Sequence, residues 1–433
     1  MDGRHALRLP SVRFSGERTV IPAPAPPTPR ELGFDPWEPV FIADPYPVYA
    51  ELRKHHPVLY NRDTNQWLVS RHADVNALLR DRRLGRSYLH QSTHAEMGRP
   101  GEPAWHAPFW QLVRNGMLDR EPPDHTRLRR LVSRAFTART VEGLRGRIQT
   151  LVEGLINDLG DRREVDLVQE VAEPLPVTVI AELLGVPEAD RARLRPWSAD
   201  ICLMYELNPS DESASRAVRA SREFSDYLRA LSRRRRAEPR DDLISALALV
   251  VDEGDQLTED ELIGTCVLLL NAGHEASVNL AGNALWALFR NPDQLALLRA
   301  DPALVPRAVE ELMRYDTPLP MFERWVLEDI EIAGGTIPRG QELALQFASA
   351  NRDPAVFDRP DELDIRRHPN PHIGFGAGIH YCLGAPLARL EFGILLDALL
   401  RRFPRMEPIT DPEWKPTFIL RGLRGLRVRI QDA

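Results

Sequence analysis

The residues best equipped for chemistry lie in one stretch, Gly374-Phe-Gly-Ala-Gly-Ile-His-Tyr-Cys-Leu-Gly384. Three glycines within five residues give a backbone that bends freely and can approach a flat ligand closely. One cysteine, Cys382, follows them. An amphipathic pattern begins right after it, with Pro386 near the first turn and Leu387, Leu390, Ile394, Leu395 and Ala398 on one face. Cys382 is thereby expected near a helix N-terminus, where backbone N–H groups and the helix dipole stabilise a thiolate. The competing reading is a glycine-rich loop around a buried structural cysteine.

Three further constellations stand upstream. Asn271-Ala-Gly-His-Glu-Ala-Ser277 is a polar patch inside an otherwise apolar segment. A buried carboxylate is costly unless paired or functional, so Glu275 needs a reason to be there. His274 reads as a packed or exposed helix histidine and not as a ligand. Glu311-Leu-Met-Arg314 places opposite charges three residues apart, on one helix face, a spacing that is usually a solvated ion pair. In Pro122-Pro-Asp-His-Thr-Arg-Leu-Arg129, His125 and Arg129 face the same way, which alone would describe an ordinary basic surface helix.

The elements that must position these groups are mostly helical. Thr258 and Glu261 fit a capping box, and the segment from 259 to 290 is apolar nearly all round, as expected of a helix through a core. Its 32 residues would make a rod about 48 Å long. Asn291-Pro292 ends it. Helices are expected from 124 to 317. Val58–Tyr60 and Gln66–Ser70 should form a β-hairpin, and 85–120 a long loop. Near the end, Ile330–Ile332 is expected to turn at Gly334-Gly335 and to be met by Glu342–Phe347 returning. The fold class is mainly α with small β-sheets.

The cysteine loop closely resembles the heme-binding loop of the cytochrome P450 family, and the resemblance extends over about 35–430. It implies the P450 fold, a triangular prism with heme between the long central helix and the helix after the cysteine loop. It implies Cys382 as the thiolate ligand of the heme iron, which favours O–O cleavage, with Phe375 packed beside it and Gly384 completing the loop. His380, His125 and Arg129 would bind heme propionates, and Arg324 matches the arginine for the other propionate; planar guanidinium suits carboxylates. Ala272 and Gly273 would lie over the heme. Glu275 matches the acid of the oxygen-activation segment, but Ala276 stands where the family has threonine. Proton delivery must then use Ser277, an ordered water or a hydroxyl of the substrate. Glu311 and Arg314 match the family's structural pair. Asn351-Arg-Asp-Pro354 also matches, but Glu362 replaces an arginine often found there, which makes Arg352 and Arg366 candidates for the third member.

The implied activity is insertion of one atom of O2 into a small apolar or amphipathic molecule, by hydroxylation or epoxidation. The substrate walls are expected from Trp105, Phe109, Trp110, the helices near 197–225, Leu270–Gly273, Pro318–Phe322 and Phe418–Leu420. No flavin or iron–sulfur motif is evident, so electrons are expected from NAD(P)H through a ferredoxin and its reductase. Arg127, Arg130, Arg134 and Arg389 are either a docking patch for that partner or a solvated face. Alternatives are a peroxide-driven peroxygenase, against which Glu275 argues, a non-catalytic heme protein, and a cysteine hydrolase using Cys382 and His380.

The remaining composition narrows the classes. The 433 residues carry a net charge of −7, which argues against a dedicated nucleic-acid binder. Cysteines at 202, 266 and 382 form no close pair, so neither a disulfide framework nor a zinc site is expected. Of 56 basic residues only Lys54 and Lys415 are lysines. No run of about 20 apolar residues offers a membrane span. We therefore expect a cytoplasmic protein, with a flexible proline-rich tail over 1–29 and a single domain over 30–433; the family resemblance implies a monomer.

Overall fold

The capping box forms as read: the Glu261 N–H donates to Thr258 Oγ1 at 3.2 Å, and the Thr258 N–H donates to Glu261 Oε2 at 2.9 Å. From it the central helix runs unbroken over Glu259–Arg290. The next helix, Pro292–Ala300, starts at the expected proline. The computed structural model describes residues 27–251 and 254–431. Most of the expected tail, 1–26, lies outside the described residues. Among the described residues the Phe34 N–H closes a turn on the Pro29 carbonyl.

Around the central helix pack Pro174–Leu184, Leu194–Cys202, Asp211–Ala237 and the cysteine-loop helix Ala385–Arg402, together forming the largest apolar core. The segment 85–120 is not all loop. Ala107–Arg114 is a helix whose Phe109 and Leu112 are buried against the central helix and Asp211–Ala237.

The strands number β1 Val58–Asn61, β2 Gln66–Val69, β3 Leu84–Gly85, β4 Glu164–Asp166, β5 Phe322–Val326, β6 Ile330–Ile332, β7 Gly335–Ile337, β8 Glu342–Leu345, β9 Arg405–Pro408 and β10 Arg427–Gln431. β1 and β2 form the expected hairpin, with Val58 opposite Val69. β2 pairs in parallel with β8, and the five-stranded order is β1-β2-β8-β5-β3. One expectation is corrected here. β6 closes on β7, not on Glu342–Phe347; β8 instead inserts between β2 and β5, where Leu343 and Leu345 are fully buried. Its continuous buried run, Leu343, Ala344 and Leu345, suits a sheet interior better than a surface hairpin. A three-stranded sheet β4-β10-β9 ties the chain's end to its middle.

Candidate active site

The cysteine loop owes its shape to two glycines. Gly376 and Gly378 have φ of +69° and +70°, and a Cβ on Gly378 would strike the Leu79 carbonyl. The Cys382 N–H donates to the Phe375 carbonyl at 3.0 Å, which fixes the phenylalanine beside the cysteine. The Phe375 ring also carries the Arg389 guanidinium 4.4 Å from its centre. Burial pushes the Cys382 thiol up, against the backbone N–H groups of Gly384 and Ala385 and the guanidinium of Arg129. The donors expected from the sequence are therefore present, but desolvation outweighs them; a coordinated cation would deprotonate a thiol so placed.

Beside this loop lies a group of polar side chains whose hydrogen-bonding capacity is poorly met. His125 is 2% exposed and neither ring nitrogen has a hydrogen bond. Burial, with His380 and Arg129 nearby, lowers its pKa to about 4. The His380 ring lies 4.4 Å from it, and His380 Nε2 is also unpartnered, 3.7 Å from Glu121. Arg324, on β5, is buried; burial and neighbouring Arg86 lower its pKa to about 9. It donates to the Glu323 carbonyl at 2.8 Å, and among the described residues no carboxylate forms an ion pair with it. Arg129 donates to the Tyr381 carbonyl at 2.6 Å. Unpaired buried cations and imidazoles are costly. They fit a ligand that brings carboxylates, and heme carries two.

The central helix supplies the opposite wall. Ala272 is solvent-accessible in mid-helix and Gly273, Glu275, Ala276 and Ser277 are partly so, while residues on either side are buried. Lys415 Nζ donates to Glu275 Oε2 at 3.2 Å and to Asn279 Oδ1 at 3.1 Å. Ser277 is not brought together with Glu275. It lines a cavity of ≈ 10 Å³ with Ala388, Glu391 and Leu395 of the cysteine-loop helix. His274 is a packed histidine, 1% exposed, with Nδ1 3.4 Å from Ser198 Oγ; burial lowers its pKa to about 4.

Three readings are corrected. The third member of the Glu311/Arg314 cluster is Arg367, whose Nε donates to both Glu311 oxygens at 3.1 Å. Arg352 instead donates to the Tyr315 carbonyl, and Arg366 lies 3.9 Å from Asp364. Glu362 takes part through its carbonyl, which accepts from Arg314 at 3.2 Å, so its side chain is free to vary. Of the suggested docking charges, Arg127 turns to Glu261 and Asp255, and Arg389 to Glu310, so these two do not present free charge. Of the suggested substrate walls, Trp105 is 45% exposed, and Phe418 packs with Phe34 and Phe41 in a separate core. Sequence reasoning missed Arg367, Glu121 and Lys415. The last carried a signal, as one of only two lysines.

A family model described as Cytochrome P450 matches residues 87–421, and the chain belongs to that family. It is a monooxygenase that binds heme b and uses O2 with electrons from NAD(P)H through redox partners. Among its relatives is cytochrome P450 107B1 of Saccharopolyspora erythraea, 41% identical over 411 residues, 92% of this chain and 97% of the relative. The 6-deoxyerythronolide B hydroxylase of the same organism is 40% identical over 400 residues, 90% and 97% of the two chains. A structure of the Bacillus subtilis bacillaene polyketide synthase cytochrome P450 PksS superposes with a TM-score of 0.84 at 38% identity, covering 92% of this chain and all of that one.

Proposed function

We propose that Cys382 is the heme ligand of this monooxygenase and that it oxygenates a small, largely apolar organic molecule, drawing electrons from a ferredoxin. The observation that carries the site assignment is the group of buried polar side chains around the cysteine loop: His125, with neither nitrogen hydrogen-bonded, His380 beside Glu121, and Arg324, which has no ion-paired carboxylate among the described residues. His125, His380, Arg129 and Arg324 would hold the two propionates. Phe375, Ala272, Gly273 and Gly384 would frame the ring. When bound, heme supplies the oxygen activation. The chain's own part is to bind and orient the substrate, exclude water and deliver protons.

For protons we assign Glu275, held by Lys415 at the edge of the accessible stretch of the central helix. Ala276 offers no hydroxyl, and Ser277 faces the cysteine-loop helix. An ordered water or a substrate hydroxyl must therefore complete the path from Glu275. We take residues 30–433 as one catalytic unit, acting as a monomer in the cytoplasm. Among the described residues no helix is long and apolar enough to cross a membrane.

The test is the carbon monoxide difference spectrum of the reduced protein. The long-wavelength Soret band characteristic of thiolate ligation is expected in wild type and should be lost in Cys382→His with heme retained. A band that persists in Cys382→His would overturn the assignment of the ligand. Reduction by ferredoxin and its reductase, followed in the same cuvette, checks the electron donor.

A further inference from the structure

Two consecutive glutamates on the helix Val305–Tyr315 have different partners. Glu311 turns to Arg314 and Arg367. Glu310 turns to the cysteine loop and the helix that follows it. Arg389, on Ala385–Arg402, grips Glu310 with a bidentate fork, Nε to Oε1 at 2.5 Å and Nη2 to Oε2 at 2.9 Å. His372 Nε2 lies 3.0 Å from the same Oε2, and His372 Nδ1 accepts the Gly374 N–H at 3.2 Å. A ring nitrogen that accepts carries no proton, so His372 is neutral and donates to Glu310 through Nε2. Burial opposes the charge on Glu310, yet the hydrogen bonds from His372 and Arg389 hold its carboxyl down at about 2.

The fork also aims Arg389 at the cysteine. Its guanidinium lies 4.4 Å from the centre of the Phe375 ring, and the Phe375 carbonyl accepts the Cys382 N–H at 3.0 Å. Its Nη1 donates at 3.2 Å to the hydroxyl of Tyr381, the residue before the cysteine. The His372 ring stands 5.9 Å from the Phe375 ring. Burial pushes the Cys382 thiol up, and Arg129 and Arg389 are the two cations that act against it. Arg129 is taken by the propionate reading above, and Arg389 is not. The Arg389 and Glu310 side chains are 34% and 29% exposed, so solvent screens part of each charge and the protein conveys the rest.

We propose that Arg389 and Glu310 are positioning residues of opposite sign that set how readily the heme held by Cys382 takes up an electron. This rests on the reading of Cys382 as the heme ligand. Reduction of ferric to ferrous heme adds one negative charge. A cation fixed beside the ligand loop favours that product, and an anion opposes it. Arg389 therefore raises the reduction potential, and Glu310 lowers it while holding Arg389 in place.

The test is the midpoint potential of the heme-loaded, substrate-free protein. Arg389→Met keeps much of the side-chain length against Phe375 and removes the charge. Glu310→Gln keeps the shape and an acceptor for Arg389. The one-electron equilibrium constant should fall about threefold in Arg389→Met and rise about threefold in Glu310→Gln, roughly 28 mV each way at 59 mV per tenfold. The double variant removes both charges and should return to within about 1.5-fold of wild type. A merely structural role would loosen the loop and move all three variants the same way, and that result overturns the proposal. So would reversed signs, or single shifts below about 1.5-fold. Arg389→Gln gives the same readout if Arg389→Met does not fold. The carbon monoxide spectrum separates the two readings: an intact thiolate Soret band with potentials that do not part refutes the charge pair alone, and absence of that band from wild type refutes the heme assignment beneath it.

Discussion

At the scale of single residues, the departure at Ala276 puts the weight of proton delivery on Glu275. A positioned acid contributes about a hundredfold or more to a proton-transfer step. Glu275→Gln keeps the shape and the contact with Lys415 but cannot cycle a proton. Turnover is expected to fall by roughly two orders of magnitude, with more of the consumed NAD(P)H appearing as hydrogen peroxide. Lys415→Met should show the same uncoupling more weakly, because it frees the carboxylate without removing it. Product, peroxide and NAD(P)H measured together decide this, and unchanged coupling in Glu275→Gln refutes the role. Cys382, Glu275 and the His125/Arg129 spacing could be singled out from sequence because each is a local pattern. Lys415 was not, because it reaches Glu275 across 140 positions of sequence.

At the scale of elements, the Glu311/Arg314 pair shows what a helix motif leaves open. Both side chains are fully buried. Arg314 also donates to the carbonyls of Asn351 and Pro360 at 2.8 Å, and so fastens its helix, Val305–Tyr315, to the irregular segment before the cysteine loop. Arg367 brings a second guanidinium to Glu311 from that segment. The choice between Arg352, Arg366 and Arg367 depends on how an irregular chain turns, which no periodicity encodes. Removing one partner of a buried ion network leaves the others uncompensated, so Arg367→Ala should cost on the order of 3 kcal/mol. Arg366→Ala, at an exposed pair, should stay within about 0.5 kcal/mol. Urea midpoints at constant slope check both, and equal costs would return Arg366 to candidacy. The central helix, with its capping box and long apolar run, was read to the residue. The short strands β3, β4, β9 and β10 were not, since two to five residues carry too little pattern to separate strand from loop.

At the scale of the whole molecule, the central helix and the cysteine-loop helix pack directly on each other, and one ionisable group lies between them. Glu391 lines the same small cavity as Ser277, and its Oε1 has no hydrogen-bond partner. The cavity holds room for about one water. Burial raises the Glu391 carboxyl to about 8. Below about pH 4 folded and unfolded chains both carry the proton, and Glu391 costs nothing. As pH rises from there to about 8, the unfolded chain gives up its proton while the folded chain keeps it, and stability falls. Over that window the loss is on the order of 5 kcal/mol. Glu391→Gln removes the titration and keeps the volume. Its unfolding free energy should match wild type near pH 5 within about 1 kcal/mol, then exceed it progressively toward pH 8. Denaturant titrations of the two proteins at several pH values provide the comparison. Parallel pH curves would mean that the folded chain ionises Glu391 freely, and hence that the interface between the two helices admits enough water to solvate a charge.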